Sequence, residues 1–259
     1  MEIIGIIKAR IKVIRTIIGK DFRRRHTFMQ HTKGIIFDFN GTLLFDTPQH
    51  EQAWREYVHT LCGRVISDSE FRYEIHGRTN ADILRHFLGE GLTEAEIARH
   101  AEQKEAVYRR LCLRMGGQFR LAEGAEALLD SLKAQKIPMA VATSSGHSNV
   151  QFYVRRFDLW RWFDQNTFLY NDGTFPGKPA PDMILAAAEA IGLPPEACVV
   201  YEDMPSGIES AVAAGAGSII AVASSLGPEF LSSVGGVDEV ITDFGNDDFR
   251  KRLIESVKG

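Results

Sequence analysis

From Gly34 onward, short apolar runs alternate with longer amphipathic ones, and this alternation leaves few folds open. GIIFDF, IPMAVATSS, ACVVYED, GSIIAVAS and VDEVITDF read as strands. EGAEALLDSLKAQ, HSNVQFYVRRFDL, PDMILAAAEAIG, PSGIESAVAAG and DDFRKRLIESV read as helices. The first strand run is continuously apolar, which marks a strand buried on both faces. Strands that alternate with helices of ten to fifteen residues build βαβ units and a parallel sheet covered on both sides. The expected class is α/β, with a three-layer Rossmann-like core. Gly192 and Gly215 stand where two of the helices should stop, and Pro194 follows the first as a further stop signal.

One stretch breaks the alternation. Between Pro48 and Met115 no strand signal occurs, and PQHEQAWREYVHTL, ADILRHFLGE and TEAEIARHAEQKEAVYRRLCLRM all read as helices. Thr93 and Glu96 have the spacing of a capping box for the last of them. The expectation is an all-helical cap domain at 48–115, inserted into a core formed by 34–47 and 116–259.

Residues 1–33 differ in character from the rest. They hold nine Lys and Arg against two Asp and Glu, so their net charge is +7, which leaves −11 for the remainder of a chain whose total is −4. Ile3, Ile7, Ile11, Ile14 and Ile18 fall at helical spacing, giving a basic amphipathic pattern. Three readings stay open: an extension that is disordered, or lies upstream of a true start at Met29; a helix packed on the protein or on a partner; and a helix resting on an anionic membrane. Charges interrupt any secretory core here, and no run in the chain is apolar enough to span a bilayer. Three cysteines, Cys62, Cys112 and Cys198, have no CxxC spacing, which favours a reducing, cytoplasmic setting over a disulfide framework. The overall acidity gives no reason to expect nucleic-acid binding.

In parallel sheets of this kind ligands bind beyond the carboxyl ends of the strands. Asp38 closes the first strand, and Thr143, with Ser144 and Ser145, closes the second. Lys178 lies in GKPAPD ahead of a helix, and Glu202 and Asp203 close ACVVYED. Singly, each has an ordinary explanation as a turn former, a cap or an ion-pair partner. Together they are a nucleophilic carboxylate, a hydroxyl, a cation and an acidic pair gathered at one edge. That set suits phosphoryl transfer, where catalysis is mostly positioning and charge neutralisation. Asp38 and Asp203 would repel a phosphate unless a cation lay between them. Mg²⁺ is the expected ion, because it takes one or two carboxylates together with water and substrate phosphate.

DFNGTL, VATSS, GKPAPD and VVYEDMPSGIESAVAAG, in that order, resemble the haloacid dehalogenase superfamily. More narrowly, the chain is similar to its phosphatase and β-phosphoglucomutase-like branch, which carries a helical cap after the first motif. The resemblance covers nearly everything from Lys33 onward. It implies that Asp38 is the nucleophile and a Mg²⁺ ligand, and that Thr143 and Lys178 hold the phosphoryl group. It further implies Asp203 as a metal ligand with Glu202 in support, and the backbone carbonyl of Asn40 as another. Gly41, Thr42, Ser144 and Ser145 fall on the substrate side by the same comparison. His50 matches a hinge histidine. His76, Arg78, Thr79 and Asn80, in HGRTN, match the cap loop that reaches the substrate. β-Phosphoglucomutase itself has a basic residue where this chain has Asn80, a departure that weakens the mutase reading. Dehalogenases proper lack the acidic pair.

The larger departure is Asn40, which stands where most of the phosphatase branch has a second Asp acting as general acid and base. An amide neither gives nor takes that proton. Several outcomes are open. The substrate could have a leaving group that needs no acid, such as an acyl phosphate. His50 or His76 could supply the proton. The protein could be a slow enzyme, or a pseudo-enzyme that only binds a phosphorylated ligand. The Asn40–Gly41 pair could deamidate, or Asn40 could simply shape the turn. The leading expectation is a monomeric, Mg²⁺-dependent phosphohydrolase acting on a small phosphorylated metabolite through an aspartyl-phosphate at Asp38. A mutase and a non-catalytic binder are the alternatives.

Overall fold

A computed structural model describes residues 32–75 and 79–258. The basic extension therefore lies outside the described residues up to residue 31. Six strands form one parallel sheet in the order β3-β2-β1-β4-β5-β6. They are β1 (Gly34–Phe37), β2 (Met139–Gly146), β3 (Phe168–Asn171), β4 (Cys198–Glu202), β5 (Ser218–Val222) and β6 (Glu239–Ile241). The chain leaves β1 toward β2 and β3, then recrosses to build β4, β5 and β6 on the other side. The carboxyl ends of β1 and β4 therefore meet where the strand order reverses, with Phe37 opposite Tyr201.

The side-chain alternation of β1 sorts the core into two faces. Ile35 and Phe37 pack with Val141, Val199, Tyr201 and Ile220 against helices α4 (Ala125–Ala134), α5 (His147–Phe157) and α9 (Asp247–Lys258). Ile36 packs with Ala140, Ala142, Val200 and Ala221 against α6 (Asp182–Ala190), α7 (Pro205–Ala214) and α8 (Pro228–Ser233). These are the three layers that the apolar strand runs imply.

Between β1 and α4 the described chain is helical: α1 (Thr47–Cys62), α2 (Asn80–Leu88) and α3 (Glu94–Arg114), with a single turn at Asp68–Glu70 that continues as a wider helical turn through Phe71–Ile75. Trp54, Tyr57, Val58, Ile66, Ile75, Ile83, Leu84 and Ile97 give this insertion an apolar cluster of its own. The Thr93 capping box forms, with the Thr93 side chain and Glu96 each satisfying the other's backbone amide.

The sequence reading misses three elements and overextends others. β3 is an edge strand of four residues, of which only Phe168 is buried, so it presents no periodicity to detect. The Asp68–Ile75 turns and α8 are likewise too short to show a helical period. β1 stops at Phe37, so Asp38 sits just beyond the strand.

Candidate active site

The reversal of strand order sets the nucleophile candidate against the acidic pair. The Asp38 amide donates to the Tyr201 carbonyl at 2.9 Å, carrying the β1–β4 ladder one residue past the strand. Asp38, Glu202 and Asp203 are 7%, 2% and 4% exposed. Each offers an oxygen, and these oxygens lie within 4.8 Å of one another. Lys178 bridges two of the three: its Nζ donates to Asp38 Oδ1 at 2.7 Å and also to Glu202 Oε1. The loop that carries Lys178 is tied down by Ser210 of α7, whose hydroxyl donates to the Ala180 carbonyl at 2.7 Å. The second oxygen of Glu202 accepts from the amides of Asp203 and Met204 at 3.0 and 3.3 Å, which shapes the turn after β4. Two glycines make room for this cluster. A Cβ on Gly41, which has φ +82°, would collide with the Asp203 carboxylate, and one on Gly207 would collide with Glu202.

Three carboxylates against one ammonium leave an excess of negative charge in a desolvated site. Burial raises the Asp38 carboxyl to about 7, with Lys178 pulling it down and Glu202 pushing it up. Asp203 is pushed well above the carboxylate range by burial and by the charges of Asp38 and Glu202. Burial disfavours the Lys178 ammonium, but Asp38 and Glu202 outweigh it and hold the group above its ordinary value. Asp38 Oδ2 is buried and has no hydrogen-bond partner among the described residues. An orphaned carboxylate oxygen, beside a second carboxylate and in an all-oxygen set, fits a hard divalent cation.

On the β2 side, the β2–β3 register slips between Thr143 and Gly146, so Ser144 and Ser145 leave the ladder. Ser144 is exposed, while Ser145 turns back toward β1. The Ser145 and Thr143 hydroxyls donate to Asn40 Oδ1 at 2.7 and 3.3 Å. Asn40 Nδ2 in turn donates to Asp46 Oδ2 at 2.6 Å and to the Tyr153 hydroxyl at 2.9 Å. The amide is thus oriented by an acceptor-only carboxylate on one side and two hydroxyl donors on the other. Tyr108 also donates to Asp46 Oδ2, and Tyr153 to Tyr108. Thr42 is fully buried and its hydroxyl has no partner among the described residues.

Behind this network lies a polar chain that joins the helical insertion to the core. His50 stacks on Tyr108, with centroids 3.8 Å apart and planes within 6°. Its Nδ1 lies 3.0 Å from Lys104 Nζ, which can only donate, so Nδ1 accepts and Nε2 carries the proton toward Asp46 Oδ2 at 3.4 Å. Lys104 is 2% exposed, sits over the Trp54 ring and pairs with Glu105 at 2.9 Å. Glu105 accepts from Asn149 on α5 at 2.8 Å, and Asn149 accepts from Arg109 on α3 at 2.7 Å. Burial works against the Glu105 charge, but the Lys104 charge and the hydrogen bonds from Lys104 and Asn149 hold its carboxyl down at about 2.

The structure thus brings Asp38, Asn40, Gly41, Thr143, Lys178, Glu202 and Asp203 to one edge, with Ser145 among them. Asn80 reaches the same polar chain through Glu105 at 3.4 Å. Thr79 is exposed and caps α2, accepting from the Asp82 amide at 3.2 Å. His76 and Arg78 lie outside the described residues. Asp46, Lys104, Glu105, Tyr108, Asn149 and Tyr153 escape the sequence reading. The one signal available was a set of polar groups on otherwise apolar helical stripes.

Known proteins resemble this chain in sequence and in fold. Residues 32–215 match the haloacid dehalogenase-like hydrolase family. A hexitol phosphatase from Escherichia coli is 34% identical over 183 residues, covering 71% of this chain and 80% of that protein. The crystal structure of a haloacid dehalogenase hydrolase of family IA, variant 3, from Entamoeba histolytica superposes with a TM-score of 0.80 at 36% identity, covering 88% of this chain and all of the other. A β-phosphoglucomutase from Clostridium difficile shares the fold, with a TM-score of 0.67 at 21% identity, over 88% of this chain and 97% of its own. With the acidic trio at the carboxyl ends of the two central strands, Lys178 reaching it from a loop, and a family match over most of its length, the chain belongs to the haloacid dehalogenase-like hydrolases.

Proposed function

We propose that the protein is a Mg²⁺-dependent phosphohydrolase acting on a small phosphorylated metabolite through an aspartyl-phosphate at Asp38. The observation that carries this reading is the asymmetry of Asp38. One carboxylate oxygen is pinned by Lys178, while the other is buried and has no hydrogen-bond partner among the described residues, in a trio that brings an oxygen of each member within 4.8 Å of the others. Asp38 and Asp203 would hold the ion, with the Asn40 carbonyl. Glu202 fixes Lys178 and the turn that presents Asp203. The ion, when bound, supplies neutralising charge between these carboxylates and the incoming phosphate. Lys178 and the Thr143 hydroxyl face the phosphoryl oxygens, and Asp38 attacks phosphorus. We assign residues 48–115 as a cap that closes over this edge and excludes water. The named activity of the E. coli relative makes hexitol phosphates the reference members of a substrate panel.

Phosphate release from a panel of phosphorylated metabolites, with Mg²⁺ and with EDTA, tests the proposal. Turnover should require the ion, and Asp38→Asn should abolish it. Metal-independent turnover, or turnover that survives Asp38→Asn, would refute it. Asn40 favours one second reading, a slow or non-catalytic binder of a phosphorylated ligand. In that case calorimetry would record ligand binding without release of phosphate.

A further inference from the structure

We infer, resting on the reading of Asp38 as nucleophile, that the preferred substrate carries a leaving group that departs as a stable anion. That class includes acyl phosphates and phosphates of acidic hydroxyls, as opposed to alkyl phosphates of ordinary sugar alcohols. The inference comes from what surrounds Asn40. Its amide has no transferable proton at neutral pH, and four hydrogen bonds fix its orientation.

Among the described residues the ionisable groups around Asn40 are committed elsewhere, and His76 lies outside them. Asp46 is 1% exposed and lies behind the Asn40 nitrogen, with Oδ2 taken by Asn40 and Tyr108. His50 has one ring nitrogen on Lys104 and directs the proton of the other at Asp46. The Tyr108 hydroxyl donates to Asp46 and the Tyr153 hydroxyl donates to Tyr108, so both phenol protons are committed within the network. Lys178 donates to Asp38 and Glu202, and its remaining N–H is the one assigned to the phosphoryl oxygens. Deamidation is not a route to an acid either. It requires the Gly41 nitrogen to attack the Asn40 side chain, and that N–H is bonded to the Leu44 carbonyl at 2.7 Å.

The chemistry balances without an acid for this class alone. An Asp38 oxygen bonds to phosphorus, and the bridging P–O bond breaks with its electron pair on the leaving oxygen. A carboxylate or acidic phenolate holds that pair, whereas an alkoxide must be protonated. Water then attacks phosphorus, the bond to Asp38 breaks, and the carboxylate is restored. Both water protons leave on inorganic phosphate as H₂PO₄⁻.

The test is the dependence of kcat/KM on leaving group, measured with Mg²⁺ on acetyl phosphate, a series of nitrophenyl and phenyl phosphates, and hexose and hexitol phosphates. The wild-type rate should fall steeply as the leaving group becomes more basic. Asn40→Asp should flatten the slope, raising the alkyl phosphates ~10²-fold or more and leaving acetyl phosphate within a few fold. A flat wild-type slope would overturn the inference without reference to the variant, as would an equal change of all substrates in Asn40→Asp. Asp38→Asn separates this from the underlying reading. Turnover that depends on Asp38 but shows a flat slope removes only the leaving-group inference. Turnover that ignores Asp38, or none on any substrate, removes the aspartyl-phosphate reading as well.

Discussion

Asp38 and Lys178 show at the residue scale how one pair sets both stability and chemistry. Removing Lys178 leaves three buried carboxylates without their shared cation. Uncompensated buried charge of this kind is strongly destabilising, by ~3–5 kcal/mol. Lys178→Ala should therefore unfold at clearly lower denaturant in EDTA, recover partly with Mg²⁺, and lose ~10²-fold or more in kcat. The raised Asp38 carboxyl predicts a pH dependence with a definite sign. Its folded value of about 7 lies above its ordinary 3.8, so the folded state binds the proton more tightly than the unfolded one. The stability this provides is complete below the ordinary value and is lost as pH rises through 7. Asp203, displaced in the same direction, adds to it. The metal-free protein should thus show a falling Tm between pH 5 and pH 8, and Mg²⁺ should raise Tm more at pH 8 than at pH 5. A flat profile in EDTA would contradict the buried acidic site.

Helix ends and tight turns, at the scale of elements, separate what supports the fold from what serves the site. The Thr93–Glu96 box opens α3 on the exposed side of the insertion. Thr93→Ala should cost ~0.5–2 kcal/mol by denaturant unfolding and leave kcat/KM unchanged. Gly41 is the opposite case. It turns the chain between Asp38 and the buried Thr42 at φ +82°, with Asp203 packed against its α-carbon. Gly41→Ala combines backbone strain with displacement of a carboxylate. It should weaken Mg²⁺ binding measured by calorimetry even where the protein remains folded. The Asp38 and Asp203 positions were legible from DFNGTL and YED, because strand ends in a parallel sheet have one chemical direction. β3 was not legible, since four residues on an edge depend on β2 for their conformation and carry little pattern of their own.

For the whole molecule, the polar chain Asp46–His50–Lys104–Glu105–Asn149–Arg109 is what joins the helical insertion to the core. Asn149 on α5 is held by Glu105 and Arg109, both on α3. Asn149→Ala should loosen this seam while sparing both apolar cores. Amide exchange in α3 should accelerate, KM should rise more than kcat falls, and the unfolding midpoint should move little. Phe37→Ala provides the contrast. It opens the main core between Tyr201 and Phe244 and should cost ~3–5 kcal/mol.

The sequence alone determined the class of fold, and it singled out Asp38, Lys178 and the Glu202–Asp203 pair, which the fold brings together. Those depend on hydrophobic period and on motifs local to a strand and its following loop. Only the tertiary structure decided how Asn40 is held and which groups surround it. Its four partners come from the loop after β1, the β2 bulge and α5, separated by up to 113 residues. The orientation of an amide, and the company of other donors and acceptors, is set by what folding brings around it, and no local pattern encodes that set.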